Sequence, residues 1–147
     1  MSQRTEQISI LLVDDNEIDV MAFQRGMTKH RMLNPLTIVS NGREALETLR
    51  GTGGREAISR PCVIFLDMNM PVMNGQEFLD EVAKDETLGD CTIFVLTTSE
   101  FDESKLAQRE QIVSGYLIKS NLQDACLSLL ESPRSYWRIV EMSAVEA

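Results

Sequence analysis

The sequence has few of the residues from which disulfide frameworks and histidine-based sites are built. Its one histidine, His30, has no partner at metal-binding spacing, which favours a surface position. The three cysteines, Cys62, Cys91 and Cys126, are widely spaced and odd in number. They form neither a CxxC motif nor a disulfide framework, and we interpret them as small core side chains in a reducing cytoplasm.

Long hydrophobic runs and an excess of positive charge are also absent. No apolar run reaches the length of a transmembrane helix, and the first ten residues lack the apolar segment of a secretion signal. Lys and Arg number 14 against 23 Asp and Glu, which gives a net charge of −9. Such a surface repels phosphate backbones. We therefore expect a cytoplasmic protein that binds neither membranes nor nucleic acid.

Five short apolar runs predict the strands of one domain. They are Ile8–Val13, Leu36–Val39, Cys62–Leu66, Thr92–Leu96 and Tyr116–Ile118. Runs of this kind are typical of strands buried on both faces. Helix-like stretches separate and follow them, the first with a cap at Asp15 or Asn16. A βα unit repeated five times predicts an α/β fold, in which helices cover both faces of a doubly wound parallel sheet.

Polar side chains cluster at the predicted strand ends. Asp14 and Asp15 end the first strand, Asp67 the third and Thr97 the fourth, and Lys119 follows the fifth. Ligands of open parallel sheets bind beyond the carboxyl ends of the strands, so we expect these side chains to converge. Clustered carboxylates suit a hard divalent cation such as Mg²⁺. With a carboxylate nucleophile, a hydroxyl and an ammonium, the set provides the parts of a phosphoryl-transfer site.

Taken singly, each of these residues has a plainer interpretation. An Asp after a strand is usually a helix cap or a turn residue, and a Lys there is usually a solvated charge. Joint placement at four strand ends favours the site.

Four motifs resemble the receiver domain of two-component response regulators. In chain order they are LLVDDNEID, FLDMNMPVMNG, VLTTS and GYLIKS, within residues 8–131. The resemblance implies a flavodoxin-like receiver fold over residues 1–131, a five-stranded sheet of order 2-1-3-4-5, and a C-terminal extension, 132–147, that is expected to be helical. The longer loops and the Tyr-Trp tail resemble the single-domain regulators associated with bacterial phytochromes.

The resemblance also implies roles for the acidic residues. Asp67 is similar to the aspartate that accepts the phosphoryl group. Asp15 would bind Mg²⁺ directly and Asp14 largely through water, with Asp67 and the backbone carbonyl of Asn69 as further metal ligands. The family usually has proline after the lysine, whereas this chain has Ser120, which leaves open whether that peptide bond is cis.

Further roles concern switching and lifetime. Thr97 and Lys119 would bind the phosphoryl oxygens, and Tyr116 would turn inward when Thr97 moves. Thr98 would occupy the small-residue position that controls access. Asn69 and Ser99 would flank the path of the attacking water and tune the phosphorylated lifetime.

The implied function is phosphorylation-dependent signalling. The chain would take a phosphoryl group from a sensor histidine kinase or phosphotransfer protein and contact a downstream protein. We expect no enzyme activity beyond weak Mg²⁺-dependent self-phosphorylation and autodephosphorylation. The alternative is a metal-dependent phosphatase of the aspartyl-phosphate type, but such sites carry a second Asp where this chain has Asn69, which cannot donate a proton as an acid. A flavin carrier would need a phosphate-binding loop after the first strand, where this chain has the two carboxylates Asp14 and Asp15.

The extension carries more apolar surface than a short segment leaves in water. Its large side chains are Tyr136, Trp137, Ile139, Val140 and Met142. They would pack back onto the domain or form a symmetric dimer, and we favour the homodimer.

Overall fold

The computed structural model describes residues 8–97, 112–119 and 122, in which strands and helices alternate. In chain order the elements are β1 (Ser9–Val13), α1 (Glu17–Lys29), β2 (Leu36–Val39), α2 (Gly42–Arg50), β3 (Cys62–Asp67), α3 (Gly75–Lys84), a 3₁₀ helix (Glu86–Leu88), β4 (Thr92–Thr97) and β5 (Gly115–Ile118). The expected fourth and fifth helices and the extension 132–147 lie outside the described residues. Within the described part of the chain, no helix has the length and apolar character needed to cross a membrane.

The five strands form one parallel sheet of order β2-β1-β3-β4-β5, which confirms the predicted fold class. Alternate residues of each central strand face opposite layers. In β3, Ile64 and Leu66 pack with α2 and α3, whereas Val63 and Phe65 pack with α1. Burial on both faces explains why the strand sequences are continuously apolar and do not alternate with polar residues.

Each described α-helix begins with an asparagine cap. The Asn16 side chain accepts hydrogen bonds from backbone N–H groups at the start of α1, and Asn41 does the same at the start of α2. Asn74 caps α3 in a reciprocal arrangement with Glu77. Because each helix follows the carboxyl end of a strand, all three helices begin at the same edge of the sheet.

The loop after β3 folds back against the strand that precedes it. The backbone N–H of Gly75 donates a hydrogen bond to the Met68 carbonyl at 3.2 Å. A β-carbon at position 75 would lie 2.8 Å from the Met68 Cα and 3.0 Å from the Asp67 carbonyl oxygen, so only glycine fits. Within this loop Val72 has a φ of 67°, a left-handed conformation that a β-branched residue rarely adopts.

Candidate active site

Three carboxylates meet at the carboxyl edge of the sheet. Asp14 and Asp15 follow β1 directly, and Asp67 is the last residue of the neighbouring strand β3. One carboxylate oxygen from each lies within 4.8 Å of those of the other two. Asp14 and Asp67 are buried and Asp15 is exposed, so the cluster opens to solvent on the side of Asp15.

The two carboxylate oxygens of Asp14 have different surroundings. Its Oδ1 accepts a hydrogen bond from the Asn16 backbone N–H at 2.9 Å, whereas its buried Oδ2 has no hydrogen-bond partner among the described residues. Burial raises the pKa of the Asp14 carboxyl to about 7, and the Asp67 carboxylate acts in the same direction. The Asn16 N–H and the Lys119 ammonium oppose this shift only in part.

Lys119 follows β5 and reaches across the sheet edge to the acidic cluster. Its Nζ lies 3.0 Å from Asp67 Oδ1 and 3.8 Å from Asp14 Oδ2. It also donates a hydrogen bond to Asp19 Oδ2 at 2.9 Å. Burial alone would lower the pKa of Lys119, but the hydrogen bonds to Asp19 and Asp67 outweigh it, so the pKa is raised.

Asp19 is the site residue that sequence reasoning missed. It lies in the first turn of α1, 100 residues before Lys119, and the side chains of both are about four-fifths buried. Helical spacing could suggest that Asp19 turns toward the sheet. It could not indicate the lysine, because that contact depends on the position of β5.

Three of the remaining predicted residues lie in the described part of the chain. Asn69 is exposed, and its backbone N–H donates a hydrogen bond to Asp67 Oδ1 at 3.2 Å. Thr97 is the last residue of β4 and follows Leu96, which pairs with Asp67 of β3. Its hydroxyl donates a long, weak hydrogen bond of 3.5 Å to the Leu117 carbonyl. Tyr116 on β5 is partly buried against the layer that contains α2 and α3. Thr98, Ser99 and Ser120 lie outside the described residues.

The donor set fits a hard divalent cation. The ligand atoms are carboxylate oxygens, and the buried Asp14 Oδ2 lacks a hydrogen-bond donor among the described residues. Mg²⁺ and Mn²⁺ prefer such oxygen ligands, and Mg²⁺ commonly keeps several waters beside one or two carboxylates. The exposed side of the cluster, at Asp15, leaves room for those waters.

Apolar side chains are exposed next to the carboxylates. Ile18 and Met21 on α1 are 76% and 49% exposed, and Ile38 on β2 is 38% exposed. Met21 and Ile38 share a cavity of about 370 Å³ with Asp14 and Asp15. The entrance to the acidic cluster is therefore bordered by an apolar surface.

Comparison with known proteins gives a consistent result. The family described as response regulator receiver domain matches residues 10–131. Response regulator Rcp1 of Synechocystis sp. is 33% identical over 129 residues, which cover 87% of each chain. The crystal structure of the Mn(2+)-bound form of Rcp1 has a TM-score of 0.72 at 29% identity and covers 94% of this chain and 99% of that one.

A second structure of similar closeness is that of the phosphorylated cyanobacterial phytochrome response regulator RcpA. It has a TM-score of 0.72 at 30% identity and covers 86% of this chain and 93% of that one. These matches confirm the resemblance first seen in the four motifs. The chain belongs to the response regulator receiver domain family.

Proposed function

We propose that this receiver domain accepts a phosphoryl group on Asp67 in the presence of Mg²⁺, and that the phosphorylated form signals through protein contacts. One observation carries the proposal: a buried carboxylate with an ammonium 3.0 Å away lies among two further carboxylates at the open edge of the sheet. A nucleophile, a cation site and a positive side chain are thereby combined at one place.

The chemical step is a displacement at phosphorus. An oxygen of Asp67 attacks the phosphorus of a phosphohistidine on the kinase or phosphotransfer protein. The new O–P bond forms as the P–N bond breaks, and the electron pair stays on the histidine nitrogen, which then takes up a proton. The Asn69 backbone N–H and Lys119 hold Asp67 Oδ1, which fixes the carboxylate in place for the attack.

Asp14, Asp15, Asp67 and the Asn69 carbonyl would hold the metal. When bound, Mg²⁺ neutralises charge on the phosphoryl oxygens. Lys119 would bind a phosphoryl oxygen, because its Nζ already contacts Asp67. Asn69 stands where a phosphatase would carry its general acid, so turnover by hydrolysis is slow. Asn69 and Ser99 set how quickly water reaches the acyl phosphate.

Switching would start at Thr97. Its 3.5 Å hydrogen bond to Leu117 is weak enough to be exchanged for a stronger one to a phosphoryl oxygen. Thr97 pairs with Ile118 of β5, and Tyr116 lies two residues before Ile118 on that strand. Movement of Thr97 would then open space for the Tyr116 ring. Thr97→Ala should therefore be phosphorylated and yet fail to change its affinity for a partner.

Partner contacts would use the apolar side chains next to the site and the extension 132–147. Ile18 and Met21 are well placed for a kinase that must bring a phosphohistidine to Asp67. The similarity to Rcp1 and RcpA supports a sensor of the phytochrome class, and the extension would form a homodimer contact. Truncation after Ser132 should then yield a monomer.

The decisive experiment is phosphorylation of the full chain by acetyl phosphate with Mg²⁺, followed by intact-mass measurement. We expect one added phosphoryl group that hydroxylamine removes. Asp67→Asn should abolish it, whereas Asp90→Asn, at the opposite edge of the sheet, should leave it unchanged. Labelling that persists in Asp67→Asn, or that proceeds equally without a divalent cation, would contradict the proposal.

A further inference from the structure

Two cysteines separated by almost 30 residues of sequence are neighbours in the sheet. Cys62 is the first residue of β3, and Cys91 immediately precedes β4. The register pairs Val63 with Thr92, so Cys62 and Cys91 occupy the two positions immediately before that pair. Both side chains lie on the face that packs with α2 and α3, at the edge of the sheet opposite Asp67.

The two side chains are neighbours on one face of the sheet. A hydrogen bond between the two thiols shifts both of their pKa values, and both cysteines are free thiols. Cys62 is buried, whereas Cys91 is partly exposed. Access for a small oxidant is therefore through Cys91.

The surroundings make the two thiols unequal. The hydrogen bond from Cys62 and the Arg60 guanidinium lower the pKa of Cys91, against the effects of burial and of Asp90, to which Arg60 is paired. The same hydrogen bond, together with burial, raises the pKa of Cys62. Since the thiolate is the reactive form, attack begins at Cys91.

We propose that Cys91 and Cys62 form a thiol oxidation site that reacts with hydroperoxides and closes to a disulfide between β3 and β4. The Cys91 thiolate attacks one oxygen of the hydroperoxide. An S–O bond forms, the O–O bond breaks, and the leaving oxygen takes up a proton, which leaves Cys91 as a sulfenic acid. The Cys62 sulfur then attacks Cys91: an S–S bond forms, the S–O bond breaks, and water departs with the Cys62 proton.

The sheet provides the spacing that this second step requires. Neighbouring strands lie about 4.7–4.9 Å apart, within the range of roughly 4.4–6.8 Å between Cα atoms in disulfides. The side chains share a face, so closure needs rotation about side-chain bonds and no change of register. Oxidation would join the amino ends of two central strands and leave the carboxyl edge, with Asp67, open.

The test uses the full chain with Cys126→Ser, so that only this pair can react. The reduced protein is treated with hydrogen peroxide, blocked with N-ethylmaleimide and digested without reduction. We expect loss of both free thiols together and one peptide pair that joins Cys62 to Cys91. The reaction should be several-fold faster in the folded chain than in urea, and dithiothreitol should reverse it.

Two variants assign the order of the steps. In Cys62→Ala the oxidation should stop at a Cys91 sulfenic acid that dimedone traps. In Cys91→Ala peroxide should react several-fold more slowly, and since Cys91 is partly exposed this variant should retain its circular dichroism spectrum. The proposal would be overturned if both thiols remained free, if dimedone labelled Cys62 in place of Cys91, or if folded and unfolded chains reacted with peroxide at equal rates. Acetyl phosphate labelling of the oxidised chain tests Asp67 separately.

Discussion

Asp14→Asn should stabilise the metal-free protein, although it removes a residue of the proposed metal site. The Asp14 side chain is fully buried, and its pKa is raised from 3.8 to about 7. One pH unit corresponds to about 1.4 kcal/mol, so at about pH 8 the ionised carboxylate costs the fold on the order of 4 kcal/mol. Asparagine has nearly the same shape and carries no charge.

Part of this gain is lost again in the variant. The asparagine Oδ1 can still accept the hydrogen bond from Asn16, and the attraction between Oδ2 and Lys119 at 3.8 Å is already included in the net pKa shift. A new amide N–H without a good acceptor costs about 1–2 kcal/mol. We therefore expect a net gain of about 2 kcal/mol in the free energy of unfolding at about pH 8.

The difference in stability between the wild type and Asp14→Asn should depend on pH. The folded pKa lies above the unfolded value, so the folded state binds the extra proton between about pH 4 and pH 7 and wild-type stability falls as the pH rises. Below the unfolded pKa both states are protonated and the penalty vanishes. The advantage of Asp14→Asn should therefore be full at about pH 8 and absent at about pH 4.

Urea denaturation in EDTA at both pH values measures this difference. Asp15→Asn is the matched control, because it removes the same charge from an exposed neighbour and should change stability by less than about 0.5 kcal/mol. Added Mg²⁺ should stabilise the wild type more than Asp14→Asn. A variant that is less stable at about pH 8, or a gain that is equal at both pH values, would refute the reasoning.

Three further predictions concern the scaffold of the site. In a double-mutant cycle of unfolding free energies, Asp19→Asn and Lys119→Met should show a coupling free energy of about 1–2 kcal/mol, because the 2.9 Å hydrogen bond joins two largely buried charges. Additive effects of the two substitutions would contradict this coupling. Gly75→Ala should lower stability by about 2–3 kcal/mol through contact with the backbone of β3, whereas Gly89→Ala, where a β-carbon would meet only the Glu86 carbonyl oxygen at 3.5 Å, should be neutral in the same urea titration. Val72→Gly should raise stability by about 0.5–1 kcal/mol, because relief of the left-handed strain exceeds the added freedom of the unfolded chain; a loss in thermal denaturation would contradict this.

Much of the fold was predictable because each strand has a recognisable local sequence pattern. Continuous apolar runs such as Cys62–Leu66 can be satisfied only between two layers, and the observed β3 extends that run by one residue to Asp67. Asn16 was one of two predicted caps for α1, and its side chain is the one that accepts the backbone hydrogen bonds. Local patterns of this kind need no knowledge of distant residues.

The missed features all depend on contacts between distant segments or on the path of the backbone. The Asp19–Lys119 hydrogen bond requires α1 and β5 to share one edge, and the Cys62–Cys91 contact requires the register of β3 with β4. The left-handed φ of Val72 results from the return of the loop to Met68, which no preference of valine would suggest.

The three asparagine-capped helices have an electrostatic consequence for the acidic edge. The amino end of a helix carries a partial positive charge of about half a unit, because its first N–H groups point outward along the axis. Helices α1, α2 and α3 all present that end to the edge where the carboxylates lie. The phosphoryl donor that we propose would therefore approach an edge that is less negative than its side-chain charges alone indicate. The backbone itself would offset part of the repulsion between an anionic donor and an acidic protein.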